Sequence, residues 1–435
     1  MELEQLGWYH SIELPNGQVI RGHLGIEELR SRLARFSIPE NLDGKRVLDI
    51  GAWDGWFSFE MERRGARVVA IDSARQTRFL RARELLGSAV EYHIADICHV
   101  SSRELGYFDI VLFFGVLYHV KHPMLALENV CELATDMACV ESYVSDDGTN
   151  PDAVPLMEFY ETTELRGQFD NWVGPNTACL LAFCRTAGFA SVRLESVIKN
   201  RASVTCLRKW PGIQPAGAGP FVTCVENSVS RDHKFSSAND DYAAFWFESD
   251  RADLRREDLF PQIGPYGSHP AGLRSAGPNG WHVNCKLPPG LSAGWHDARL
   301  RIGASELSNP VRIGIDVSEE ERRRSDVRTW SGQMRVDLVT DGKNWERYRV
   351  RVGNDSCVSL WLSGIPEDCD RRDIRLRLNG TDIPAHYLSP PDREGRYQVN
   401  ALLPSGLRPG DAVITLAIRG IELPPVSVQL VETGG

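Results

Sequence analysis

The chain has 435 residues, 42% of them apolar, and its 49 basic and 59 acidic side chains give a net charge of -10. That length predicts two or three domains with real cores. No apolar run approaches the roughly 20 residues of a membrane span, and the acidic balance argues against a broad nucleic-acid surface. Ten cysteines without a CxxC pair or metal-ligand spacing read as reduced core thiols, with no metal site.

Residues 1–44 read as an N-terminal leader or cap. They open acidic and aromatic (MELEQLGWYH), in the manner of neither a secretory nor a transit peptide, so a cytoplasmic location is expected. A Pro-Asn-Gly turn at 15–17 and a helix from Ile26 to Phe36 follow. Residues 45–228 then alternate apolar strands with helical stretches. The expected strands are Val47–Ile50, Val68–Ile71, Val90–Ile94, Asp109–Phe114, Ala138–Tyr143, Ser191–Val197 and Phe221–Val225. Helices between the early ones predict an α/β, mostly parallel seven-stranded sheet, its last pair an antiparallel hairpin at one edge.

Within this region RVLDIGAWDGWFSFEMERRGARVVAID, from Arg46 to Asp72, reads as strand, glycine turn, amphipathic helix and strand. An acid about 20 residues past the turn gives the layout of a nucleoside-binding crevice. The turn is GxxxG rather than GxGxxG, which weakens a dinucleotide reading. With the later segment DIVLFFGVLYH, it resembles the Rossmann-like class I S-adenosylmethionine (SAM) dependent methyltransferases. The resemblance implies SAM as cofactor. Gly51, Ala52 and Gly55 would let the ligand approach the backbone, and Asp49 and Asp54 would orient its methionine moiety. Asp72 would take the ribose diol, Asp96 and Ile97 would border the adenine, and Phe114 would line the site.

A narrower likeness follows from Gly115 to His119 (GVLYH), a basic residue and HPMLAL. VESYV at 140–144 and NWVGPNTACLLAFCRTAGF at 171–189 agree with it. These pieces resemble the tRNA wobble-uridine carboxymethyltransferases over roughly residues 40–195. Members of that family use a carboxylated SAM, held by cationic and aromatic side chains partly from before the first strand. The leader offers no matching lysines, so ordinary SAM is expected.

For transfer to a hydroxyl, His119 is the candidate base, since imidazole titrates near working pH. The competing reading is a structural histidine bonded to a loop carbonyl. Tyr118 and Glu141 are the other catalytic candidates, with Glu158 behind them. Tyr160, Asp170 and Trp172, from the acidic and aromatic stretch 157–172, are candidates for a substrate wall or lid.

Beyond about 226 short alternating strands take over, and the sequence repeats. VNCKLPPGLSAGWHDARLRI begins at Val283, and VNALLPSGLRPGDAVITLAI begins at Val399. Two all-β modules are expected, 236–318 and 330–435, separated by the charged run Glu319 to Asp326. They loosely resemble immunoglobulin-like sandwiches of the IPT/TIG type, which implies docking rather than chemistry. Three readings stay open: a methyltransferase acting on a small-molecule or glycan hydroxyl, a tRNA alkyltransferase, and a non-catalytic binding or assembly protein. No membrane partner is expected, and an oligomer is possible.

Overall fold

The computed structural model describes residues 7–150, 153–231, 234–276, 279–318, 334–353, 355–366 and 369–432. The charged run 319–326 lies outside the described residues. The chain divides into two compact units. The first comprises residues 1–212 with 265–269 and 288–290; the second holds the remainder.

The first unit is built on seven strands: β1 (Arg46–Ile50), β2 (Arg67–Asp72), β3 (Glu91–Ile94), β4 (Phe108–Phe114), β5 (Ala134–Tyr143), β6 (Ser191–Ile198) and β7 (Arg201–Leu207). Their order is β6-β7-β5-β4-β1-β2-β3. Strands β1 to β5 run parallel, and β7 pairs antiparallel with both neighbours. Central strands read as near-continuous apolar runs because both faces are covered. Helices α1 (Ile26–Leu33), α2 (Trp56–Arg63), α3 (Thr77–Leu86), α4 (Pro123–Leu133) and α5 (Thr177–Ala187) supply the cover.

The seventh strand corrects the sequence expectation. It is Arg201–Leu207, while Phe221–Asn227 pairs with Tyr242–Glu248 in a sheet of the second unit. The cause is a two-residue hairpin turn. Lys199 and Asn200 both take left-handed backbone, with φ of 51° and 60°, as a type I′ turn requires. That turn contains neither Gly nor Pro, and the sequence reading, which ends one strand at Val197, passes over 201–207 to Phe221–Val225 as its hairpin partner.

The leader belongs to the core. Trp8, Ile12, Ile20, Leu29 and Leu33 are buried with Val47, Phe57 and Met61 on one face of the sheet. Leu127, Val130, Leu180 and Phe189 fill the other. All ten cysteines are free thiols, eight of them buried. Among the described residues, no helix is long and apolar enough to cross a membrane.

The second unit is all β. One part pairs a four-stranded sheet (Phe221–Asn227, Tyr242–Glu248, Gly280–Lys286, Pro270–Ser275) with a five-stranded one. The other pairs a four-stranded sheet (Arg335–Asp341, Cys357–Ser363, Tyr397–Leu402, Ala385–Leu388) with a six-stranded one. Strand order and pairing repeat between the parts. A short 3₁₀ turn, Arg256–Asp258 and again Arg371–Asp373, precedes the matching strands Leu259–Ile263 and Ile374–Leu378. The repeated sequence therefore encodes a repeated topology.

Candidate active site

The strand order reverses between β1 and β4, and a crevice forms outside the carboxyl ends of strands at such a point. Register places the ends together: Ile50 lies beside Ile71 and Phe113, and Asp72 lies beside Ile94. The turn after β1, the acid ending β2, Asp96 after β3 and the loop after β4 thus share one edge.

The turn needs glycine twice. Gly51 has φ 70°, and a Cβ there would lie 2.3 Å from Val116 Cγ2. Gly55 has φ 92° and would put a Cβ 2.6 Å from the Phe59 and Phe79 rings. Ala52 is buried, and Trp53, also left-handed at φ 54°, is exposed. The Trp53 N–H donates to Asp72 Oδ2 at 3.1 Å, and Gln76 Nε2 donates to Oδ1 at 3.1 Å. Asp72 is thereby oriented. Oδ1 also takes a longer bond from the Ala74 N–H at 3.4 Å, so the acceptor capacity left for a ribose hydroxyl lies chiefly on Oδ2, which has one donor against two lone pairs. Asp96 is half exposed, its Oδ1 accepting the Cys98 N–H at 2.9 Å. Ile97 is buried, and its carbonyl accepts from Asn129.

Two acids expected at the ligand have other work. Asp49 is buried and accepts the Ser58 hydroxyl at 2.6 Å, so it fixes the first turn of α2 from below. Burial, only partly offset by Ser58, pushes its carboxyl up to about 6. Asp54 is fully buried and accepts the N–H groups of Tyr9 (2.6 Å) and His10 (3.0 Å). It also meets Arg78 Nε at 2.9 Å. Asp54 fastens the leader to the turn rather than facing a ligand, a partnership set by residues more than 40 positions away.

His10 is buried edge-on against Phe57. Burial, then Arg32 and Arg78, lower its pKa to about 3. The unfolded chain binds a proton near pH 6.5 that the folded one refuses until about pH 3, so stability from neutral His10 is lost as pH falls through that window. The stability difference between wild type and His10→Leu is expected to shift by about 1.4 kcal/mol per pH unit there. Urea unfolding at stepped pH checks it, and a pH-independent difference would count against a neutral His10.

Phe114 ends β4, and the loop after it carries Tyr118 and His119. Phe114 stacks on Phe36 and meets Phe57 edge-on, which makes it part of the leader-side wall. The Tyr118 hydroxyl accepts from Arg201 Nη1 at 2.8 Å. Arg201 also donates to both carboxylate oxygens of Glu141, at 2.6 and 2.5 Å. Glu141 is buried and doubly occupied, which corrects its reading as a catalytic base. Burial opposes the Arg201 charge, but Glu141 and then Tyr118 outweigh it and hold its pKa above the ordinary value. Arg201 escaped the sequence reading because its strand did; the Lys199-Asn200 turn between two alternating runs was the available signal.

His119 Nδ1 lies 2.9 Å from the Asp170 carbonyl oxygen. A carbonyl only accepts, so the proton sits on Nδ1 and leaves Nε2 as the basic nitrogen. The carbonyl-bonded histidine and the base are thus compatible readings of one residue. The stretch carrying Asp170 is tied to the same loop, since Trp172 N–H donates to the Tyr118 carbonyl at 2.8 Å. Lys121 sits 4.2 Å over the Trp172 ring. Tyr160 is buried, its hydroxyl committed to Glu158 at 2.7 Å, so it supports this stretch from within. Among the described residues no cluster of three or more His, Cys, Asp or Glu could hold a metal.

A family of proteins described as a methyltransferase domain matches residues 21–178. The tRNA U34 carboxymethyltransferase of Pseudomonas paraeruginosa is 29% identical over 181 residues, 39% of this chain and 54% of that protein. Its counterpart from Aeromonas hydrophila is 31% identical over 159 residues, 35% and 47% of the two chains. The chain spans about half the length of these relatives. Among solved structures, the N-terminal domain of EvdMO1 with SAH bound is 22% identical at a TM-score of 0.36, covering 47% of this chain and 92% of that one. Magnesium protoporphyrin IX methyltransferase from Synechocystis PCC 6803 with bound SAM is 16% identical at 0.31, covering 42% and 79%.

Proposed function

We propose that this chain transfers the methyl group of SAM to a hydroxyl of a small molecule or glycan, with its β modules, read as immunoglobulin-like sandwiches, docking substrate or partner. The crevice fits the cofactor: a turn whose Gly51 excludes a Cβ lies beside Asp72, an oriented acid with acceptor capacity left. Gly51 and Ala52 would face the ligand, Asp72 would take its ribose diol, and Asp96 with Ile97 would border its adenine. Bound SAM supplies a methyl already activated on a sulfonium. The protein's part is alignment and water exclusion. His119 Nε2 accepts the proton of the acceptor hydroxyl. Tyr118, fixed by Arg201, forms the adjoining wall, and Asp170 holds the imidazole in the required tautomer.

The observation that carries the choice of acceptor is the charge around the transfer loop. Arg201 is neutralised by Glu141, Lys121 rests on Trp172, and residues 157–172 carry four acids against Arg166 alone. That surface suits a neutral hydroxyl compound better than a polyanion. Labelled methyl transfer from SAM to sugar and glycan acceptors, with unmodified tRNA alongside, tests it; labelling of tRNA alone overturns it. His119→Ala is expected to lower turnover about 10²-fold with SAM affinity within twofold. An unchanged rate leaves His119 a structural residue.

A second reading, alkyl transfer to tRNA, draws support from Tyr118, an aromatic side chain at the crevice of the kind a carboxylated SAM asks for, with the Arg201 N–H groups beside it. Competition between SAM and its carboxylated form for the purified chain separates the two.

A further inference from the structure

The repeated modules differ at one face. In each, a tryptophan stands on the outward side of the four-stranded sheet: Trp246 opposite His282 in the first, Trp361 opposite Gln398 in the second. In the first copy this face is consumed within the chain. Trp246 packs on His282 with ring centroids 4.5 Å apart, and its Nε1 donates to Glu226 at 3.1 Å.

In the second copy the face carries an additional indole. Trp345 is 53% exposed, with its ring centroid 6.1 Å from that of Trp361. It sits in left-handed backbone, φ 63°, a conformation costly for a bulky residue and held only where the surroundings enforce it. Asp341 enforces it. Its buried carboxylate accepts the N–H groups of Lys343 (2.9 Å), Asn344 (3.1 Å) and Arg351 (2.8 Å), and its carbonyl accepts that of Trp345 (3.0 Å). A large apolar ring is thus presented to water on a rigid loop.

Polar groups stand ready beside it. Asn400 Oδ1 accepts from Ser359 Oγ at 2.7 Å and from Gln398 Nε2 at 2.9 Å. These bonds fix both amides and leave the Asn400 Nδ2 donor and the Gln398 Oε1 acceptor without a protein partner among the described residues. Arg396, 5.5 Å over the Trp361 ring, is paired with Asp392 and Glu394.

We propose that this face binds a neutral carbohydrate chain, with Trp345 and Trp361 as its platform. A pyranose ring has one face of axial C–H groups that buries against indole, and an equatorial rim of hydroxyls that need paired donors and acceptors. An exposed ring beside an oriented amide pair meets both needs. A purely apolar partner would leave Asn400 and Gln398 unsatisfied, and Arg396, the cation over the Trp361 ring, is already held by two carboxylates, which favours a neutral chain over an acidic one. The inference deepens the docking role proposed for the β modules and rests on it.

The test uses the full chain in native gels containing soluble neutral polysaccharides: a mixed-linkage β-glucan, a galactomannan and dextran. Wild type should be retarded by at least one, and Trp345→Ala should weaken that retardation about tenfold or more. Trp361→Ala should act in the same direction. Trp345 is exposed, so its loss leaves folding intact; SAM binding on the same samples confirms this and reports the transfer reading separately. Absence of retardation by all three polymers, or equal retardation of Trp345→Ala, overturns the proposal.

Discussion

Replacing Asp72 by alanine is expected to weaken SAM and S-adenosylhomocysteine binding about 10³-fold, the largest effect of any single change at the crevice. Hydrogen bonds to a charged acceptor contribute about 1.5–3 kcal/mol each, and a ribose diol offers two. Asp72 is 6% exposed at the end of β2, and its orientation is set by the Trp53 N–H and Gln76. Its removal also frees the Trp53 N–H and loosens the turn that Gly51 and Gly55 shape. Titration calorimetry on wild type and variant decides the matter. Tight binding by both would move the diol site away from β2. No binding by folded wild type would sink the methyltransferase reading and shift weight to the β modules.

The crevice was legible because its determinants are local. A buried parallel strand is a continuous apolar run, a turn needing positive φ shows its glycines, and the acid ending the next strand follows at a fixed interval. Gly51, Gly55 and Asp72 therefore stand where the sequence put them. Asp54 and Glu141 were misread for the opposite reason. Both looked like acids near strand ends, but their partners, the Tyr9 and His10 amides and the Arg201 guanidinium, come from remote chain segments. A carboxylate's role depends on what meets it, and sequence spacing does not record that. The strand carrying Arg201 was hidden by a hairpin turn with neither Gly nor Pro, and this one misreading cost both the seventh strand and the residue that occupies Glu141.

Glu141 also supplies the largest expected effect on stability. Its carboxylate is 6% exposed and its partner's guanidinium 17%. Taking away one member of such a pair leaves the other charge buried and uncompensated, which costs about 3–5 kcal/mol. Glu141→Gln should therefore lower the melting transition of the first unit by about 10 °C, at the 2–4 °C per kcal/mol expected for a domain near 200 residues. Tyr118 loses its fixed position with Arg201, so turnover falls too, but as a consequence. Scanning calorimetry separates this from catalysis by Glu141 itself. A general base would give Glu141→Gln an unchanged melting point with turnover down 10²-fold or more. The paired change Glu141→Leu with Arg201→Met provides the second check. Replacing both charges with apolar groups should recover most of the stability lost in either single variant, because no buried charge is then left without a partner. Transfer should stay impaired, since nothing then bonds the Tyr118 hydroxyl. Recovered stability with lost transfer would establish Arg201 as the residue that positions Tyr118, and Glu141 as the group that balances the Arg201 charge there.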